Sequence, residues 1–356
     1  MKLFKLYLVV AFGLFVSLGG AKVFATEGYW QKLKVIEKDR LKDLALTKQR
    51  LQEISQYKES FTPDEISLYN LLLGHSKVMN SEVTAGQEVL TKLATETEND
   101  DIEARSYSIL ASIYRLKGEN IKSFMAVDKA LSLIEKVKDN RYKHNILINT
   151  VSIYKEAELT EFALEHARRL VSNANQNKNN ETLCQAYHEL AEIEVNANNL
   201  KLGKQRLLLA QQYCKESEQI LYQFMTNAIF AGVLVQEGEY DKAEQRLIAM
   251  YSRVEDYGWE LLVNLYKAGF AELYLNKGEL EKALKYAESA YESLKDNSDV
   301  KRMEIVTSVL ARIHTKLDNQ GEAIKFYKEY MHFNMENKQR VRQRKLAFDI
   351  ARRGRI

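Results

Sequence analysis

The stretch KGELEKALKYAESAYESL, residues 277–294, sets Gly278, Ala283 and Ala290 five and then seven residues apart in a charged amphipathic run. Compared with the rest of the chain, it repeats at a shift of forty: EGEYDKAEQRLIAM (237–250) matches KGELEKALKYAESA (277–290). The same shift relates Gly118, Gly238 and Gly278 as turn residues. It also aligns a small-residue column of Ser123, Ala163, Gly203, Ala243, Ala283 and Ala323. Seven residues on stand Ala130, Leu170, Ala210, Met250, Ala290 and Tyr330; twelve before stand Ala111, Val151, Ala191, Ala231, Ala271 and Ala311. Six units in one register mean that a single supersecondary unit is repeated and stacked.

Polar turn clusters fall roughly forty apart, with one interval doubled: TENDD (97–101), KDNR (138–141), NQNKNN (175–180), EDYG (255–258) and DNSD (296–299). Between them the apolar spacing predicts a first helix (A), a turn, and a second helix (B) in each unit, each roughly 22–25 Å long. The small residues then have a physical reason. An alanine on each side of an A–B contact lets the backbones approach to the short end of the usual 8–10 Å range.

With this spacing the pattern Ala271, Tyr274, Gly278, Ala283, Ala287, Ala290, echoed by Ala111, Tyr114, Gly118, Val127, Ala130, resembles the tetratricopeptide repeat (TPR). The resemblance implies an all-α superhelical solenoid of antiparallel helix pairs. It covers residues 104–336 as six units and 61–103 as a divergent one. The forty-residue period exceeds the family's thirty-four and the usual closing proline is missing, which is similar to the long-repeat bacterial type. Residues 26–60 are expected to cap the first repeat, and Thr62-Pro63-Asp64-Glu65 is a strong helix start with a capping box.

Composition agrees with one continuous body. The chain has 356 residues, 46% hydrophobic and 28% charged, with one proline, Pro63. The first 25 residues differ: Lys2 and Lys5 precede an apolar run from Leu6 to Leu18, and Val23-Phe24-Ala25 suits signal peptidase. A cleaved secretory signal is expected, placing the body in the periplasm or outside the cell, with an N-terminal membrane anchor as the alternative. The three leader lysines account for the whole formal charge of +3. From Lys338 onward there are eight basic residues and one acid, so the body before them is acidic by about seven charges and unsuited to nucleic acid.

Catalytic signatures are absent. There is no GxxxxGK, GxSxG or HExxH; His188-Glu189-Leu190-Ala191-Glu192 lacks the second histidine, and the six histidines do not pair at metal-binding spacing. No enzyme activity, metal or cofactor is expected. Cys184 and Cys214 fall at the same end of one hairpin on inward stripes, as either a disulfide or two separate buried thiols.

The TPR resemblance further implies that helix A lines a concave groove that binds a peptide or protein. By register its groove-facing residues are Arg105, Ser112 and Arg115; Asn145, Ser152 and Lys155; Gln185, His188, Glu192 and Asn196; Met225, Ala228, Gly232 and Val235; and Leu265, Ala268, Glu272 and Leu275. The groove would run from polar and basic to apolar, suiting a ligand with an acidic end and a hydrophobic segment. The tail, residues 337–356, reads as a basic amphipathic helix with Val341, Leu346, Phe348 and Ile350 as sparse apolar positions. It resembles the connector after the periplasmic TPR array of GGDEF-type diguanylate cyclases. The second reading is therefore the sensory region of a membrane signalling protein, the tail contacting anionic lipid or an acidic partner, or lying solvated and frayed. The sequence holds no cyclase domain, so no cyclase activity is implied.

Overall fold

The computed structural model describes residues 28–40, 43–295 and 299–354; the expected leader, 1–25, lies outside them. Among the described residues there is no strand, only helices. Two short ones, α1 (Tyr29–Asp39) and α2 (Leu44–Ser55), precede the array. Then come seven helix pairs: α3 (Pro63–Met79) with α4 (Val83–Glu96), α5 (Asp100–Leu116) with α6 (Asn120–Leu133), and α7 (Asn140–Glu156) with α8 (Thr160–Gln176). They continue as α9 (Asn180–Asn196) with α10 (Leu200–Glu216), α11 (Ile220–Gln236) with α12 (Tyr240–Tyr257), α13 (Glu260–Lys277) with α14 (Leu280–Leu294), and α15 (Val300–Lys316) with α16 (Gln320–Arg353).

The period is written into the backbone. The A–B turns carry left-handed residues at 118, 158, 198, 238, 278 and 318, at intervals of forty, and three of the B–A turns carry them at 178, 218 and 258. Glycine occupies four of these nine places, where a positive φ has no Cβ penalty; Glu158, Lys178, Asn198, Glu218 and Asp318 adopt it without that advantage. The small column is buried as its spacing required: Ala163, Ala243 and Ala283 are fully enclosed. At Gly203 an added Cβ would sit 2.6 Å from Val195 Cγ2, so this A–B contact admits no side chain.

The N-terminal cap forms as expected. Glu65 N–H donates to Thr62 Oγ1 and Thr62 N–H to Glu65 Oε2 (2.8 Å), and the same carboxylate accepts from the Trp30 backbone (2.7 Å), tying α1 to α3.

The tail departs from expectation. α16 runs unbroken from 320 to 353, with no boundary near 337. Its end neither frays nor leads away: it returns to the N-terminal half and packs on α6, which lies some two hundred residues earlier in the chain. Phe348 enters an aromatic box of Phe162, Phe124 and Tyr154, at centroid distances of 4.9, 5.4 and 5.8 Å. Arg344 donates to the Glu156 carbonyl (3.1 Å), Lys345 pairs with Glu158 (3.4 Å), and Arg352 lies over Phe162 and Phe348. Of the four apolar positions read from sequence, Val341 and Phe348 are buried, whereas Leu346 and Ile350 face solvent. Aromatic, carboxylate and backbone partners within the array take up one side of this end of the helix.

Candidate functional site

Successive A helices are joined side by side through a polar ladder whose rungs span nearly one repeat. Ser112 Oγ donates to Asn149 Oδ1 (2.8 Å), Arg115 to Glu156 (2.7 Å), and His144 Nε2 lies 2.8 Å from Gln185 Oε1. Lys155 bonds Glu189 (2.7 Å) and Glu192 (2.6 Å), His188 Nδ1 meets Thr226 Oγ1 (3.0 Å), Asn227 donates to Tyr266 OH, and Arg312 grips both Glu272 oxygens at 2.8 Å. Hydrogen-bonded charges of this kind are among the stronger polar links. They fix the pitch of the A-helix wall.

This arrangement revises the expected basic entrance. Arg115 and Lys155 are spent on Glu156, Glu189 and Glu192, of which the repeat register singled out Glu192 alone. Burial opposes the Lys155 ammonium, but the two glutamates outweigh it and raise its pKa. Burial likewise raises the Glu192 carboxyl, and Lys155 overcomes this with a lesser pull from Lys301 of α15, so its pKa falls. Lys301 stands three A helices along the array.

Arg105 behaves differently. Its guanidinium donates to Ser108 Oγ (3.2 Å), and among the described residues no carboxylate lies within ion-pair distance. Burial first, then Arg40, brings its pKa down to about 10. Burial, with Arg105 and Arg40, also holds His75 neutral, its pKa lowered to about 3. This end of the groove therefore keeps an anion-seeking guanidinium in a half-buried setting.

His188 does not line the groove. It is fully buried, with Tyr222 edge-on at 5.2 Å, and burial lowers its pKa. His188, Glu189 and Glu192 bring potential ligand atoms within 4.8 Å of one another, the one such cluster among the described residues. Lys155 already sits on both carboxylates as the local cation. Asn145, Ser152 and Gln185 are half-buried on the wall, and Asn196 is exposed at its edge.

The apolar half is a cavity of about 570 Å³ between α11, α13 and α15. Ala228, Gly232, Val235, Leu265 and Ala268 form two walls; Val235 is itself largely buried, and Met225 packs against the core behind. Ile305, Val306 and Arg302, from α15, close the third side. Ile305 stands forty residues beyond Leu265, one unit past the last groove-facing set read from the sequence.

Cys184 and Cys214, fully buried between α9 and α10, meet in disulfide geometry with Cα atoms 4.6 Å apart.

Neither a family model nor a curated protein matches the sequence. Solved structures do. An apo RapI structure matches at TM-score 0.65 and 14% identity, covering 87% of this chain and 98% of that one. A Rap protein complexed with Competence and Sporulation Factor matches at 0.63 and 13%, covering 88% and 99%. The apo quorum sensor NprR from B. thuringiensis matches at 0.64 and 18%, covering 86% and 87%. The fold is a TPR-like helical solenoid. At such identities the likeness establishes the TPR-like architecture and leaves the ligand to the groove's own chemistry.

Proposed function

We propose that the protein is a non-catalytic TPR scaffold, exported from the cytoplasm, that captures a peptide or protein segment in its concave groove. The observation that supports this best is the groove's division. An apolar cavity large enough for one or two bulky side chains lies along the same A-helix wall as Arg105, a half-buried guanidinium without a carboxylate. A ligand with a carboxylate at one end and an aliphatic or aromatic residue further on satisfies both. Peptide capture is also in keeping with the neighbour complexed with Competence and Sporulation Factor.

The test is selection from a random-peptide display library against the folded protein, repeated with Ala268→Trp to fill the cavity and with Arg105→Gln. Enriched peptides should share an acidic and a bulky apolar position, and each variant should lose them by about tenfold or more. Enrichment unaffected by either change would refute groove binding.

A further inference from the structure

α16 carries a second surface. Ile324, Tyr327, Met331 and Met335 follow at intervals of three, four and four, placing them on one face. They are 56, 42, 59 and 68% exposed. Further along that face come Lys338 and Arg342, exposed and without an ionic partner among the described residues, then Leu346, 61% exposed. Asp349 is the one carboxylate at its far end.

The repeat says what this face is. One unit earlier, the equivalents of Ile324, Tyr327 and Met331 are Leu284, Ala287 and Tyr291 of α14. Ala287 is buried, Leu284 and Tyr291 pack against the core, and Tyr291 meets Phe326 of the following unit at 5.5 Å. α16 thus presents the stacking face that α14 uses to receive the next pair. A terminal repeat ordinarily makes this face polar. Here it holds two methionines, an isoleucine and a tyrosine, and adaptable Met-rich faces suit helix recognition.

We propose that this face docks an amphipathic helix of a partner protein, antiparallel to α16, with acidic residues in its first turns and an apolar stripe after them. Direction and charge follow from the array. Each A helix runs antiparallel to the B helix before it, so the N-terminal turns of the guest lie over Lys338 and Arg342. Acidic residues there answer both these cations and the guest's own helix dipole. Four of the chain's seven A helices carry acids in their first turn, with Asp64 and Glu65 in α3, Asp100, Asp101 and Glu103 in α5, Glu181 in α9 and Glu260 in α13; α7, α11 and α15 carry none there. A second copy of this chain fits less well: with Ile324 set antiparallel against Met335 of the second copy, Lys338 comes over the first turn of the other α16, whose one acid, Glu322, is already paired with Lys325, and the Lys328 side chains converge.

A fluorescein-labelled 20-residue helical peptide, with glutamates in its first two turns and leucines at helical spacing beyond, tests this by anisotropy on the full chain. It should bind saturably. Lys338→Glu with Arg342→Glu should weaken it by about tenfold or more, as should lysine in place of the peptide's glutamates, and Met331→Glu should abolish it. Ala268→Trp, in the groove, should change nothing. Absence of binding, equal affinity for the lysine peptide, or unchanged affinity after Lys338→Glu with Arg342→Glu would each overturn the proposal. So would sedimentation showing a dimer that Met331→Glu disperses, since the occupant would then be a second copy.

Discussion

His75, on α3, shows how a single side chain sets a pH limit on this fold. Burial beside Arg105 and Arg40 lowers its pKa to about 3, against about 6.5 in the unfolded chain. Because the folded value is depressed, the unfolded state binds the proton first as pH falls. Stability is therefore complete above about pH 6.5 and drains away toward pH 3. Burial shifts His144 and His188 in the same direction. The urea midpoint should drop between pH 7.5 and 5, and His75→Gln should flatten that drop. An equally steep loss in the variant would clear His75 of this role.

Among the described helix pairs, α9 and α10 alone are bridged by a disulfide. Gly203 brings them close, as Gly74 and Gly86 do for α3 and α4, and Cys184 and Cys214 close their open end. Cross-linking a loop of this length contributes about 3 to 4 kcal/mol in the chain-entropy account. Dithiothreitol, or Cys184→Ser with Cys214→Ser, should lower the unfolding midpoint accordingly, with non-reduced denatured protein resisting thiol labelling. Full labelling of both cysteines would show them unbonded. Other features at this scale were readable beforehand, because helix periodicity, the capping box at Thr62 and Glu65, and the glycine turns depend on neighbours three or four residues away. The left-handed Glu158, Lys178 and Glu218 were not, since nothing local favours that conformation in glutamate or lysine; the packing of the flanking helices imposes it.

At the scale of the whole molecule, α16 joins the last repeat to the first ones. Ala347, Phe348 and Ala351 belong to the core of the N-terminal half, while Phe326, on the same helix, belongs to that of the C-terminal half. Phe348→Ala should remove the box contact at a local cost of about 3 to 5 kcal/mol. Amide exchange should then accelerate in the last turns of α16 and in α6, with α11 to α14 unchanged. If exchange at α6 stays at its wild-type rate, the strap contributes nothing to that half.

The sequence by itself determined the repeat, its length and the small residues at the A–B contacts. All of these follow from interactions within one unit or between adjacent units, and they recur at a fixed offset. Tertiary structure alone decided which groove charges remain available. Glu156, Glu189 and Glu192 neutralise Arg115 and Lys155 across helices, leaving Arg105 as a half-buried groove cation with no carboxylate among the described residues within ion-pair distance. It also decided the fate of the tail, because the approach of Phe348 to Phe124 depends on the summed rotation of six stacked pairs, a quantity no local pattern carries.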